Sequence, residues 1–180
     1  MNTKYLILGG ARSGKSAYAE EIAAFVSESS SLKVAYIATA IAFDDEMKAR
    51  IEHHKASLPA IWDCIEEPIY LADFLIQNSA KDKIILIDCL TLWLNNLLIK
   101  DDPDLLNCEI KKFLDCIETL SGTIIFVSNE VGLGVIPMGE ITRQFVDESG
   151  RLHQQLAKLV DHVLLMVAGI AMPVKGCKPI

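Results

Sequence analysis

The chain has 180 residues, 51% of them hydrophobic, with a formal net charge of −7 and five cysteines. That length suits one domain, residues 1–180, with ample chain to bury a core, and the apolar content excludes a disordered polymer. The acidic balance speaks against a general nucleic-acid-binding surface, so anionic ligands must be held by local features. Cys64, Cys89, Cys108, Cys116 and Cys177 are odd in number and form no Cys-x-x-Cys pair. Scattered reduced thiols are therefore expected, not a disulfide frame or a zinc site. No apolar run reaches the ~20 residues that a bilayer crossing needs. A cleaved leader would remove the first strand and the loop after it, so a cytoplasmic protein is expected.

Tyr5-Leu6-Ile7-Leu8 reads as a buried strand. It runs into Gly9-Gly10-Ala11-Arg12-Ser13-Gly14-Lys15-Ser16, which fits the phosphate-loop pattern of Gly, four residues, Gly, Lys, Ser/Thr. Ala17 to Val26 follows as an amphipathic helix, with Ala19, Ile22, Ala23 and Val26 at helical spacing. Each residue type has a physical role. Gly9 and Gly14 permit backbone torsions and close approaches that a side chain would block. Backbone N–H groups and the positive end of the helix converge on phosphate oxygens. Arg12 and Lys15 add charge, and Lys15 reaches the outer phosphates. The Ser16 hydroxyl suits Mg²⁺, which prefers oxygen ligands. The plain alternative is a Gly-rich turn that binds nothing, and the strand–loop–helix context argues against it.

Ser27 to Ser31 reads as a polar turn. Val34 to Ala38 is a second buried strand ending at Thr39, the kind of position where open α/β sheets bind ligands. Asp44-Asp45-Glu46-Met47 opens a helix that runs to about Ser57. Met47, Ile51, His54 and Leu58 share one stripe, and Glu46, Arg50, His53 and Ser57 form a polar one beside it. The two histidines thus point about 100° apart, with His54 on the inward side. An inward histidine is either a core residue with satisfied nitrogens or one that faces a ligand cleft, and the stripe leaves both open.

Ile61 to Glu66 is a short strand, and Pro68 precedes a helix from about Tyr70 to Asn78. Past the polar connector Lys81-Asp82-Lys83, Ile84-Ile85-Leu86-Ile87-Asp88 has the pattern of a central parallel strand with a carboxylate at its tip. A helix-capping role for Asp88 is the ordinary alternative. Its pairing with the upstream loop favours a Mg²⁺ role. Leu90 to Ile99 is helical. Asp101 to Asp104 forms a turn and cap before a helix from about Leu105 to Leu120, which Gly122 ends. Thr123 to Val127 is another buried strand, with the polar cluster Ser128-Asn129-Glu130 at its tip. Val131 to Gly139 is Gly-rich and apolar, a flap or an oligomer contact. A helix from about Ile141 to Val160, a strand at His162 to Val167 and an edge strand in the tail complete the chain. Alternating strands and helices predict an α/β fold, a mostly parallel sheet with helices on both faces. Right-handed crossovers gather the phosphate loop, Thr39, Asp88 and Asn129 at one sheet edge.

Taken together, the phosphate loop, Tyr36-Ile37-Ala38-Thr39, Asp45-Glu46-Met47 through Arg50-Ile51 to His54, Trp62 with Glu66-Glu67-Pro68, Asp88-Cys89-Leu90-Thr91 and Ser128-Asn129-Glu130-Val131-Gly132 occur in an order that resembles one family. It is the bifunctional adenosylcobinamide kinase and adenosylcobinamide-phosphate guanylyltransferase of cobalamin biosynthesis, and the resemblance covers nearly the whole chain. It implies a P-loop NTPase-type fold, GTP and ATP as substrates together with adenosylcobinamide, Mg²⁺, and a homo-oligomer such as a trimer. It implies two reactions: phosphorylation of adenosylcobinamide, then transfer of GMP from GTP onto that phosphate through a histidine intermediate. The family's histidine falls on His54, with Lys15 as the other catalytic residue. Nucleotide contacts carry over to Gly9, Gly10, Ala11, Arg12, Ser13, Gly14, Lys15 and Ser16. They extend to Ile37, Ala38 and Thr39, to Lys55, Ala56, Ser57 and Leu58, and to Glu66 and Asp88, with Ser16 and Asp88 on the metal. Two positions depart from the family pattern. Leu58 stands where a basic residue is usual, and Cys64 where Thr is common. A plain small-molecule kinase is the nearest competing reading and a nucleotide-sensing module a more distant one. A GTPase switch is disfavoured because no Asn-Lys-x-Asp motif occurs.

Overall fold

The computed structural model describes residues 2–42, 45–134 and 137–180. Along the helix Asp45–Ser57, the side chains of Met47, Arg50, Ile51, His53, His54 and Ser57 lie outside the description. The strands are β1 (Thr3–Gly9), β2 (Lys33–Ala38), β3 (Asp63–Glu66), β4 (Lys83–Asp88), β5 (Thr123–Asn129), β6 (His162–Val167) and β7 (Ile170–Lys175). The helices are α1 (Lys15–Ser30), α2 (Asp45–Ser57), α3 (Leu71–Asn78), α4 (Leu90–Ile99), α5 (Pro103–Cys116) and α6 (Glu140–Leu159).

These strands form one sheet in the order β3-β2-β4-β5-β1-β6-β7. All neighbours are parallel except β6 and β7, which form an antiparallel edge. The interior strands are apolar because both of their faces are covered. Burial divides the core in two along that alternation. Ile7, Tyr36, Leu86 and Val127 pack with Tyr18, Ala19 and Ile22 of α1. Leu6, Ile37, Ile87 and Phe126 pack on the other face against Leu75 of α3, Trp93 of α4, Phe113 of α5 and Leu156 of α6. The α/β architecture with helices on both faces is the one the pattern predicts. Among the described residues no helix is long and apolar enough to cross a membrane.

Several boundaries differ from the sequence reading, each for a local reason. The polar run Ser27 to Ser30 continues α1 instead of turning. Ser27 Oγ donates to Leu32 O at 2.7 Å and Ser29 Oγ to Val26 O at 3.1 Å, so the hydroxyls satisfy themselves at the helix end. Ile61 and Trp62 stay outside β3 because a turn, Trp62 N–H to Pro59 O at 3.0 Å, holds them. Asp102 caps α5 by accepting from Asp104 and Leu105 N–H, and Pro103 takes the first helical position, so α5 starts early. It ends at Cys116, and a 3-10 turn, Ile117–Thr119, replaces the last predicted turn.

Candidate nucleotide site

The parallel register brings the strand tips together. Gly9 pairs with Asn129, Asp88 with Val127, and Ala38 with Asp88. The segment leaving β1 curls at Arg12 and Gly14, with φ of 55° and 92°, and enters α1 at Lys15. A Cβ on Gly9 would sit 2.4 Å from Ser13 Oγ and 2.9 Å from Met166 O, so only glycine fits where the loop folds over β1. Two further bonds brace the loop: Glu130 N–H donates to Gly9 O at 2.9 Å and Gly169 N–H to Ser13 O at 3.0 Å. Lys15 is buried, and its Nζ donates to Gly10 O at 3.0 Å.

A cavity of about 640 Å³ lies against this loop. Ala11 to Ala17 form one wall, and Asp88, Cys89 and Asn129 the other. Its size suits a small-molecule ligand. The expected gathering of the phosphate loop, Asp88 and Asn129 at one sheet edge is what the strands produce. Thr39 reaches the same edge but stands behind the wall, fully buried. Its Oγ1 donates to Cys89 O at 2.7 Å and accepts Cys89 N–H at 2.9 Å. Asn96 of α4 donates to Thr39 O at 2.7 Å and to Pro68 O at 3.1 Å, locking β2 to the segment after β3. The Tyr36 hydroxyl hydrogen-bonds Asp88, and burial pushes its pKa far above the usual phenol range, so it remains a donor. Burial also raises the Cys89 thiol to about 11, which keeps it a neutral wall of the cavity.

The other predicted nucleotide residues occupy a second place. Ile37 is core with no exposed surface, and Ala38 is nearly buried on the opposite face. Lys55 on α2 forms an ion pair with Glu66 at the end of β3. The hydrogen bond to Glu66 raises the Lys55 pKa, so the ammonium stays charged. Ala56 is exposed, and Leu58 packs at the edge of the α1-side core. This group sits at the β2–β3 side of the sheet edge, outside the lining of the phosphate cavity. His54 and Ser57 are in α2, but their side chains lie outside the described ones. Ser16 and Asp88 both line the cavity, and a hydroxyl together with a carboxylate is a hard-oxygen donor set that fits Mg²⁺.

Sequence reasoning did not single out His153, which is buried on α6 beside Ser128. Its signal was the stripe Ser149, Leu152, His153 and Leu156, a buried helix face containing two polar residues.

A strand, a Gly-rich loop, a helix and an opposing strand-tip acid define the phosphate-loop class of α/β nucleotide-binding folds. The flagellar accessory protein FlaH of Methanocaldococcus jannaschii shares the fold at a TM-score of 0.51 and 16% identity, over 97% of this chain and 78% of that one. The family model for cobinamide kinase / cobinamide phosphate guanyltransferase matches residues 5–174. The bifunctional adenosylcobalamin biosynthesis protein CobP of Pseudomonas aeruginosa is 53% identical, over 95% of this chain and 96% of that protein. The corresponding CobU of Escherichia coli is 37% identical, over 94% and 98%. The chain therefore belongs to the cobinamide kinase / cobinamide phosphate guanyltransferase family, a family of bifunctional kinases and nucleotidyltransferases.

Proposed function

We propose that this protein phosphorylates adenosylcobinamide with ATP or GTP. It then moves GMP from GTP onto that phosphate by way of His54, giving adenosylcobinamide-GDP and pyrophosphate. The observation that carries this reading is the cavity between Ala11–Ala17 and Asp88, Cys89 and Asn129, in a chain that the family matches from residue 5 to residue 174. Phosphoryl transfer needs positioning and charge stabilisation above all. The loop amides, Lys15 and the N-terminus of α1 supply both toward a triphosphate. Mg²⁺, held by Ser16 and Asp88, would neutralise phosphate charge there.

For the second reaction the chain needs a nucleophile for the α-phosphorus of GTP. A neutral imidazole serves at pH 7, and the phosphoramidate it forms leaves more readily when protonated. The Lys55–Glu66 ion pair supports His54 in this role, because it ties the C-terminal half of α2 to the strand tips. In this reading Lys55, Ala56, Ser57, Leu58 and Glu66 contact the guanylylated nucleotide, while Ile37, Ala38 and Thr39 supply the backbone wall between the two places. The protein works in the cytoplasm as a homo-oligomer such as a trimer. The exposed apolar side chains of Ile170, Met172 and Val174 along the edge strand β7 support self-association.

The deciding experiment is incubation with α-labelled GTP followed by denaturation. Acid-labile label retained on the protein is the expected result. Phosphorylation of adenosylcobinamide without any protein-bound label would leave a plain kinase and overturn the histidine route.

A further inference from the structure

The turn between β6 and β7 reaches across to the phosphate loop. Val167 pairs with Ile170, so the connection is Ala168 and Gly169, with φ of 51° and 82°. Two positive φ values belong to the type I′ turn, whose twist suits a hairpin. The ladder of such a hairpin uses the N–H groups of the flanking residues and leaves those of the two turn residues free. Gly169 is exposed, yet its N–H donates to Ser13 O at 3.0 Å. Loop and hairpin also touch directly: a Cβ on Gly14 would stand 3.3 Å from Gly169 Cα and 4.0 Å from Met166 Cε. Ala168 holds its left-handed φ at a steric cost that glycine would not incur.

A trans peptide points its C=O and its N–H in opposite directions, so the Ser13 carbonyl and the Gly14 N–H face opposite ways. In the sheet, β6 and β7 lie on one side of β1, and β4 and β5 on the other. Asp88 and Asn129, at the tips of β4 and β5, belong to the far wall of the cavity that Ser13 and Gly14 line. With Ser13 O held on the hairpin side, the Gly14 N–H is turned toward the cavity. Gly14 cannot fix that orientation itself. Its φ is 92°, and glycine adopts either sign of φ with similar ease, so the peptide before it can flip. We propose that Gly169 is a positioning residue for the nucleotide: its N–H, through Ser13 O, keeps the Ser13–Gly14 peptide in the orientation that offers the Gly14 N–H to a phosphate oxygen. This role rests on the phosphate-loop reading above, and it serves both reactions because one loop holds the triphosphate in each. Linkage makes it reciprocal: a phosphate that favours the oriented peptide also favours the Gly169 hydrogen bond.

The probe is inorganic triphosphate with Mg²⁺, its binding to the full chain measured by calorimetry. A Cβ on Gly169 would meet open space, so a substitution there acts through φ and not through a clash. Gly169→Val, whose β-branched side chain disfavours a positive φ, is expected to weaken triphosphate binding about tenfold. Gly169→Asn keeps the N–H and tolerates that φ, and its affinity is expected to stay within about threefold of wild type. Unchanged triphosphate affinity in a folded Gly169→Val, whatever its Tm, or equal weakening in both variants, overturns the proposal. Amide hydrogen exchange of the wild-type protein, followed by NMR, decides the matter without a variant. The Gly169 amide is expected to exchange about tenfold or more slowly than that of Ala168, and more slowly again with triphosphate bound. Exchange as fast as that of Ala168, or protection that triphosphate leaves unchanged, overturns the positioning role. A wild-type protein that binds no triphosphate would instead overturn the phosphate-loop reading itself.

Discussion

The ammonium group of Lys15 lies 3.0 Å from the carbonyl oxygen of Gly10, inside its own loop. This contact keeps the charge buried and paired until phosphate oxygens compete for it. Lys15→Ala is expected to abolish nearly all of both reactions, because one loop serves the triphosphate in each. Loss of a charge-assisted contact to the transition state costs about 2–4 kcal/mol, or roughly 30- to 1,000-fold in turnover. Steady-state assays of the two reactions check it, and either rate within threefold of wild type would argue against a shared site.

Asp88→Asn is expected to reduce Mg²⁺-dependent turnover far more than folding stability. The carboxylate stands at the tip of β4, lines the cavity opposite Ser16 and receives the Tyr36 hydroxyl on the side facing the core. The amide keeps that shape but loses the anion that a hard cation needs. Turnover against Mg²⁺ concentration, beside a denaturant titration, separates the two effects. A variant that is unstable yet fully active in its folded fraction would rule the metal role out.

How much of this site the sequence displays depends on whether a residue acts through local pattern or through tertiary approach. The phosphate loop, the strand ending in Asp88 and the histidine helix are contiguous patterns, and each can be read from spacing alone. The place of Asn129 followed from strand order. Thr39 was legible as a strand-end polar residue, but not as the clasp on Cys89, because that pair is 50 positions apart. His153 was hidden for the same reason: its partner Ser128 lies 25 residues upstream, and α6 shows only an amphipathic face. The serine-rich end of α1 misled because turn-forming side chains also satisfy a helix terminus when the next carbonyl is within reach.

Thr39→Val tests that clasp. Valine keeps the volume and the β-branch but removes the one oxygen that bonds both Cys89 N–H and Cys89 O. Cys89 O keeps the Trp93 N–H at 3.2 Å, but Cys89 N–H is left buried without a partner, at a cost of about 1–3 kcal/mol. A loss of about 1–3 kcal/mol is therefore expected from the denaturation midpoint, together with weaker nucleotide binding, since Asp88 and Cys89 form the far wall of the cavity. Unchanged stability would mean that the wall does not depend on Thr39.

The sharpest prediction separates two neighbouring histidines. His54→Ala is expected to eliminate covalent GMP labelling, and His53→Ala to leave it largely intact. Leu58, just past the end of α2, packs against the α1-side core, so it marks the inward direction of that helical turn. With 3.6 residues per turn, position 54 lies about 40° from position 58 around the helix axis, and position 53 about 140° away. Lys55 then falls beside position 54 and is held at the β3 tip by Glu66. A nucleophile must approach phosphorus in line at about 3–3.5 Å, so a residue on the far side of the helix could not reach without rotating α2. Kinase turnover is expected to survive His54→Ala in part, because the γ-phosphate is attacked by the substrate hydroxyl and not by imidazole. Guanylylation lost with phosphorylation kept would assign the phosphorus-attacking group to α2 and leave the kinase step with the phosphate loop. Loss of label in His53→Ala alone would place the nucleophile one residue earlier and rotate the helix register with it. Label retained in both variants would remove the covalent step.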